Sequence, residues 1–133
     1  MIVVDTNVMV YFWVPGELTD QAVRVYRKDP GWVAPMLWRS EFLNALALSM
    51  RRGLLALEDG LEVIERAETR MQGQELKVAS AGVLSLAQQS GCSAYDCEFV
   101  WLAQDLGVTL VTADEELLAK FKSSAVSMRA FCA

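Results

Sequence analysis

Ile2-Val3-Val4 is a β-branched run with no polar alternate, and it stops abruptly at Asp5-Thr6-Asn7. A strand with one wet face alternates apolar and polar side chains. A strand apolar at every position has both faces covered, as in a parallel sheet flanked by helices. This short run therefore sets the expectation for the whole chain. Trp32-Val33-Ala34, Leu76-Lys77-Val78 and Val108 to Val111 read as further strands, and Ala125 to Met128 as a final edge strand. Between them lie segments of helical period: Val8 to Val14, Leu18 to Lys28, Met36 to Arg52, Leu57 to Met71, Ala81 to Gln89, Ser93 to about Asp105, and Asp114 to Phe121. Pro15-Gly16, Asp29-Pro30-Gly31, Gly53, Gly91 and Gly107 punctuate the helical segments. Strands alternating with helices predict a three-layer α/β/α sandwich around a mostly parallel sheet of about four to five strands. Without repeats, low-complexity tracts or linkers, residues 1–133 are expected to form one domain.

The absence of histidine narrows the chemistry. Ser-His-Asp and Cys-His nucleophilic sites, histidine zinc sites and imidazole acid–base catalysis are all excluded. Hydrolysis would have to rest on carboxylates, metals, lysine or hydroxyls. Seventeen acidic residues against twelve basic ones give a formal net charge of −5, which argues against a generic nucleic-acid coat protein. It leaves a nuclease open, because cations held at an acidic site change the local potential. Cys92, Cys97 and Cys132 are odd in number and lack Cys-x-x-Cys spacing, so they read as small apolar residues in a reducing compartment. With no charged leader and no apolar run of about 20 residues, a cytoplasmic protein without a membrane segment is expected.

Four carboxylates stand at telling places. Asp5 closes the first strand, at the end where open α/β sheets bind ligands; it or Thr6 could equally cap the next helix. Asp114 follows the Val108–Val111 strand, where Thr112-Ala-Asp-Glu115 also fits a capping box. Asp96 sits in Ser93-Ala-Tyr-Asp, again with capping-box spacing. Glu41 is the least ordinary. Its helical neighbours Leu37, Trp38, Asn44, Ala45 and Leu48 offer no cation. Left unpaired on that stripe, it would cost several kcal/mol or take up a proton; the alternatives are that it snorkels outward or meets a distant arginine. Brought together, the four carboxylates could not all ionise without cations between them, and hard oxygen donors suit Mg²⁺ or Mn²⁺.

These pieces, taken in order, carry a resemblance. Ile-Val-Val-Asp5-Thr-Asn7, Pro35 to Leu46 around Glu41, Ser93-Ala-Tyr-Asp96 with Leu102-Ala-Gln-Asp-Leu-Gly107, and Leu-Val-Thr112-Ala-Asp114-Glu-Glu-Leu span nearly the whole chain. The chain resembles the PIN domain, and within it the VapC-like toxins of toxin–antitoxin pairs. The resemblance implies a metal-dependent endoribonuclease in which Asp5, Glu41, Asp96 and Asp114 hold one or two Mg²⁺ or Mn²⁺ ions. It also implies that Thr6, Asn7, Ser93 and Thr112 orient those carboxylates. A homodimer, and a cognate antitoxin covering the acidic pocket, follow from the same likeness. Cys97 departs from the small alanine common after the third acid. Glu115 and Glu116 both follow Asp114, and either could add a metal contact. Arg39, Arg51 and Arg52 flank the Glu41 helix as candidate RNA contacts, or as solvated helix ends.

The expected chemistry is in-line attack of a cation-activated water on phosphorus, with Asp96 or Asp114 accepting its proton. Two other classes compete. Asp5 after a first strand also suits an aspartyl-phosphate phosphotransferase or phosphatase, but the residue two places on is Asn7 rather than Asp, and no lysine among Lys77, Lys120 and Lys122 is evidently placed. A non-catalytic PIN-fold binding module is the other, with Trp13, Trp32, Trp38, Trp101 and the methionines supplying either partner surface or core.

Overall fold

A computed structural model describes residues 1–133. The elements run β1 (Ile2–Val4), α1 (Thr6–Trp13), α2 (Thr19–Lys28), β2 (Trp32–Pro35), α3 (Trp38–Arg51), α4 (Leu57–Met71), β3 (Glu75–Leu76), α5 (Ser80–Ser90), α6 (Ala94–Leu106), β4 (Leu110–Val111), α7 (Glu115–Lys120), β5 (Ala125–Val126) and α8 (Met128–Cys132). All five strands join one sheet in the order β3-β2-β1-β4-β5, and every pairing is parallel. The α/β expectation holds, with five strands.

β1 lies at the centre, as its two apolar faces require. Val3 pairs with Val33 of β2 on one side and Leu110 of β4 on the other, and all three β1 residues are buried. Parallel crossovers are right-handed, so a chain moving from β1 through β2 to β3 leaves its helices on one face. When it returns past β1 to β4 and β5, its helices fall on the other. Helix contacts follow that division: α1 meets α2 and α3, and α3 meets α4, while α5 packs on α6; α8, which follows the last strand and belongs to no crossover, packs back on α2. Helix α6 covers β1, β2 and β4 directly. Gly82 lets α5 come close, since a Cβ there would lie 2.1 Å from Trp101 Nε1.

Several boundaries differ from the sequence reading. The long helix starts at Trp38 rather than Met36, because β2 runs through Pro35 and Met36-Leu37 form a turn. β3 is Glu75–Leu76 rather than Leu76–Val78. The edge strand ends at Val126, and the chain turns into α8, where Ser127 Oγ accepts from Ala130 N at 3.1 Å. An N-cap serine thus overrides the apolar strand pattern. Tryptophans 32 and 38 belong to the core, and the Trp38 indole N–H is satisfied by Glu75 Oε2 at 3.0 Å. Cys92 and Cys97 are buried free thiols, and Cys132 is a partly buried one.

Candidate active site

The sheet order decides where a site can form. Connections from β1 and β4 leave in opposite directions, so their carboxyl ends flank a crevice that no crossover fills. Asp5 and Thr112 stand at those two ends. Backbone pairing continues one step past β1, Asp5 N donating to Val111 O at 3.0 Å, and this carries Asp5 inward until 7% of it is exposed. Its carboxylate is held at both oxygens: Oδ1 accepts from Thr6 N at 2.8 Å and Oδ2 from Thr112 Oγ1 at 2.7 Å. Thr112 Oγ1 in turn accepts from Asp114 N at 3.0 Å. On the other side, Thr6 Oγ1 donates to Glu41 Oε1 at 2.8 Å. A continuous chain of hydrogen bonds therefore runs from Glu41 through Thr6, Asp5 and Thr112 to Asp114.

Asp5 is also the N-cap of α1, so the capping and cleft positions expected as rivals coincide in one residue. The same is true of Asp114, whose Oδ1 accepts from Leu117 N at 3.0 Å. Thr112 does not cap α7 as the Thr112–Glu115 box predicted; it is fully buried and turned to Asp5, while Asp114 takes the cap. Ser93 makes one half of its box, accepting from Asp96 N at 3.1 Å. Asn7 Oδ1 accepts from Ala113 N at 3.4 Å, which ties α1 to the loop after β4.

Asp5, Thr6, Asn7, Glu41, Asp96 and Asp114 all line one open cleft of about 560 Å³. No Lys, Arg or amino terminus lies within 4.0 Å of any of the four carboxylates. Asp5, Glu41 and Asp96 have raised pKa values. Burial, with smaller repulsion from Glu41 and Asp96, pushes Asp5 from the usual 3.8 to about 6, against the lowering pull of Thr112 and Thr6. Burial also raises Glu41, aided by Asp96 and Glu98, and raises Asp96, aided by Asp114 and Glu116.

These residues fit a hard divalent cation by donor chemistry: oxygen donors only, uncompensated by any cation and converging on one cleft. The fit is not a preassembled cage, since no three acidic side chains already close round a common point at metal-holding range. Glu115 and Glu116 do not line the cleft, and Glu116 pairs with Lys120 at 3.3 Å. Of the three arginines singled out, Arg52 lines it. Arg39 instead pairs with Glu68 at 3.0 Å, and Arg51 is exposed elsewhere. Tyr11, Leu48 and Ser49 also line it and were not anticipated. Helical phase could have found part of this wall: Arg52 lies eleven residues after Glu41, roughly 20° round the helix from it.

Comparisons with known proteins agree with this architecture. The chain is 32% identical to Ribonuclease VapC3 of Pyrobaculum aerophilum over 127 residues, covering 90% of this chain and 94% of that protein. Its fold is similar to the crystal structure of PAE2754 from Pyrobaculum aerophilum, with a TM-score of 0.79 at 22% identity over 98% of this chain and 92% of that one. It is also similar to the crystal structure of FitAcB from Neisseria gonorrhoeae, with a TM-score of 0.72 at 19% identity over 97% and 99% of the two chains. No helix is long and apolar enough to cross a membrane. The PIN domain model matches residues 2–122, and the chain belongs to the PIN domain family.

Proposed function

We propose that this chain is a Mg²⁺- or Mn²⁺-dependent endoribonuclease and the toxin of a type II toxin–antitoxin pair, acting on RNA in the cytoplasm. One observation carries the reading: Asp5, Glu41, Asp96 and Asp114 line a single cleft at the switch point of the sheet with no basic side chain within 4.0 Å of any of them. The similarity to a protein named Ribonuclease VapC3 supports RNA as the substrate class.

Those four residues would hold one or two cations. When bound, Mg²⁺ or Mn²⁺ supplies Lewis-acid chemistry, lowering the pKa of water and offsetting charge on phosphate oxygens. The chain's own groups divide the remaining work. Thr112 and Thr6 fix the Asp5 carboxylate, and Thr6 also fixes Glu41, so these two ligands stay aimed at the cleft without rearrangement. Asp114 spends Oδ1 on the α7 cap and keeps Oδ2 for the cleft. The carboxylate of Asp96 has only the Ser93 hydroxyl beside it as a donor, and burial, with repulsion from Asp114 and Glu116, raises its pKa against that pull. It is the group best suited to take the proton from the attacking water.

A cognate antitoxin and a homodimer follow from the likeness to VapC-like toxins. Exposed leucines at the α3–α4 turn and the start of α4, Leu54, Leu57 and Leu61, supply apolar surface for such contacts. The phosphoaspartate alternative loses ground because no lysine lines the cleft. Against a binding module, the test is direct. Wild-type protein should bind Mn²⁺ saturably by calorimetry and cut total RNA in a metal-dependent assay. Asp5→Asn and Asp96→Asn should remain folded and fail to cut; native-rate cleavage by either variant in Mg²⁺ would overturn the site assignment.

A further inference from the structure

Helix α3 contributes a single stripe to the cleft: Glu41, Ala45, Leu48, Ser49 and Arg52, which are spaced at one helical phase. The stripe starts in the acidic group and ends at a guanidinium, about 16 Å further along the axis at 1.5 Å per residue. Arg52 is the only Lys or Arg lining the cleft, and no carboxylate lies within 4.0 Å of it. On α1, Tyr11 lines the same cleft with no hydrogen bond to its hydroxyl, while Leu48 leaves apolar surface exposed. The cleft thus has an acidic end that repels phosphate unless cations intervene, and a far end that attracts phosphate directly and offers an aromatic and an aliphatic face.

We infer that Tyr11, Leu48 and Arg52 form a subsite for a nucleotide of single-stranded RNA that lies a few positions along the strand from the scissile phosphate. The base lies against Tyr11 and Leu48, and its phosphate meets the Arg52 guanidinium. Single-stranded nucleic acid is bound in this way generally, by stacking on aromatic rings and by tracking the backbone with cations. The charge gradient along α3 also sets a direction: the strand enters over Arg52 and is cut at the acidic end. This subsite rests on the nuclease reading, and the following test separates the two.

Binding is measured by fluorescence anisotropy with a labelled, mixed-sequence 2′-O-methyl oligoribonucleotide in Mn²⁺, and cleavage with the corresponding unmodified RNA. Tyr11→Leu and Arg52→Gln should each raise Kd and KM about tenfold while kcat changes little. Arg52→Gln should also flatten the log Kd against log salt slope by about 0.7, the value for one phosphate contact on a single strand. Arg52→Lys should restore the salt slope, and Tyr11→Phe should restore stacking. Both positions border solvent, and a circular dichroism melt establishes that each variant is folded. Cleavage by wild-type protein with Kd, KM and salt slope unmoved in folded variants overturns the subsite and leaves the nuclease standing. Oligonucleotide binding that depends on Tyr11 and Arg52, without cleavage by wild-type protein, supports the subsite and overturns the nuclease. Neither binding nor cleavage overturns both.

Discussion

Asp5 and Asp96 face the same cleft and are held in opposite ways. Asp5 ends a central strand, is 7% exposed, and has a donor on each carboxylate oxygen. Asp96 sits in the first turn of α6, half-buried, with its backbone N–H bonded to Ser93 and that one hydroxyl as its carboxylate's side-chain donor. The first is preorganised at the cost of burying a charge; the second keeps the freedom to exchange a proton or follow a ligand. On the proposed reading, a site assembled from one fixed half and one adaptable half would take up a cation without having a closed cage beforehand.

The contrast can be broken most sharply by removing the charges. Asp96→Asn should slow RNA cutting by about 10²- to 10⁴-fold, the range for a lost proton acceptor, with Mn²⁺ affinity only partly reduced. Asp5→Asn should lose both cutting and tight Mn²⁺ binding. Equal Mn²⁺ affinities for the two variants in calorimetry would erase the distinction between the halves.

Next in size is Thr112→Val, which removes the donor to Asp5 and the acceptor of Asp114 N together. Loss of such an orienting group costs about 10- to 100-fold in metal affinity or activity. Ser93→Ala on the adaptable side should instead cost about 1 kcal/mol of stability as a lost N-cap, with activity nearly retained. If the two substitutions behave alike in a paired melt and cleavage assay, the Asp5 hydrogen bonds are not what orients the site.

Stability against pH offers a subtler handle. The folded Asp5 pKa of about 6 lies above its usual 3.8, so the folded state binds this proton more tightly than the unfolded one. Its contribution is complete below the unfolded value and is lost as pH rises through the folded one, a change of about 3 kcal/mol for a shift of this size. Melts in EDTA should therefore lose stability through Asp5 as pH rises from 3.8 to about 6, with no further loss from it above that. Asp5→Asn should flatten that slope, and Mn²⁺ should raise the Tm of wild-type protein above pH 6 but not that of Asp5→Asn. An unchanged slope in Asp5→Asn would show that another group carries the titration.

Much of this was legible locally. β1 was read to the residue because its β-branched composition states both its conformation and the burial of both faces. Helix α4, Leu57–Met71, was read to its ends because it is amphipathic. Where local signals competed, the reading slipped: Thr112-Ala-Asp-Glu fits a capping box, yet the contact that turns Thr112 away comes from Asp5, 107 residues distant. Arg39 and Arg52 both flank the Glu41 helix in the sequence. Helical phase and the Glu68 partner on α4 separate them.

The sequence by itself determined the alternation of elements, the acids at strand and helix ends, and the absence of any imidazole, because each depends on neighbours within a turn or two. Only the tertiary structure decided that β1 and β4 lie side by side and leave the crevice where Asp5, Glu41, Asp96 and Asp114 meet. Strand order is settled by which faces must be buried across the whole sheet, and no local period encodes it.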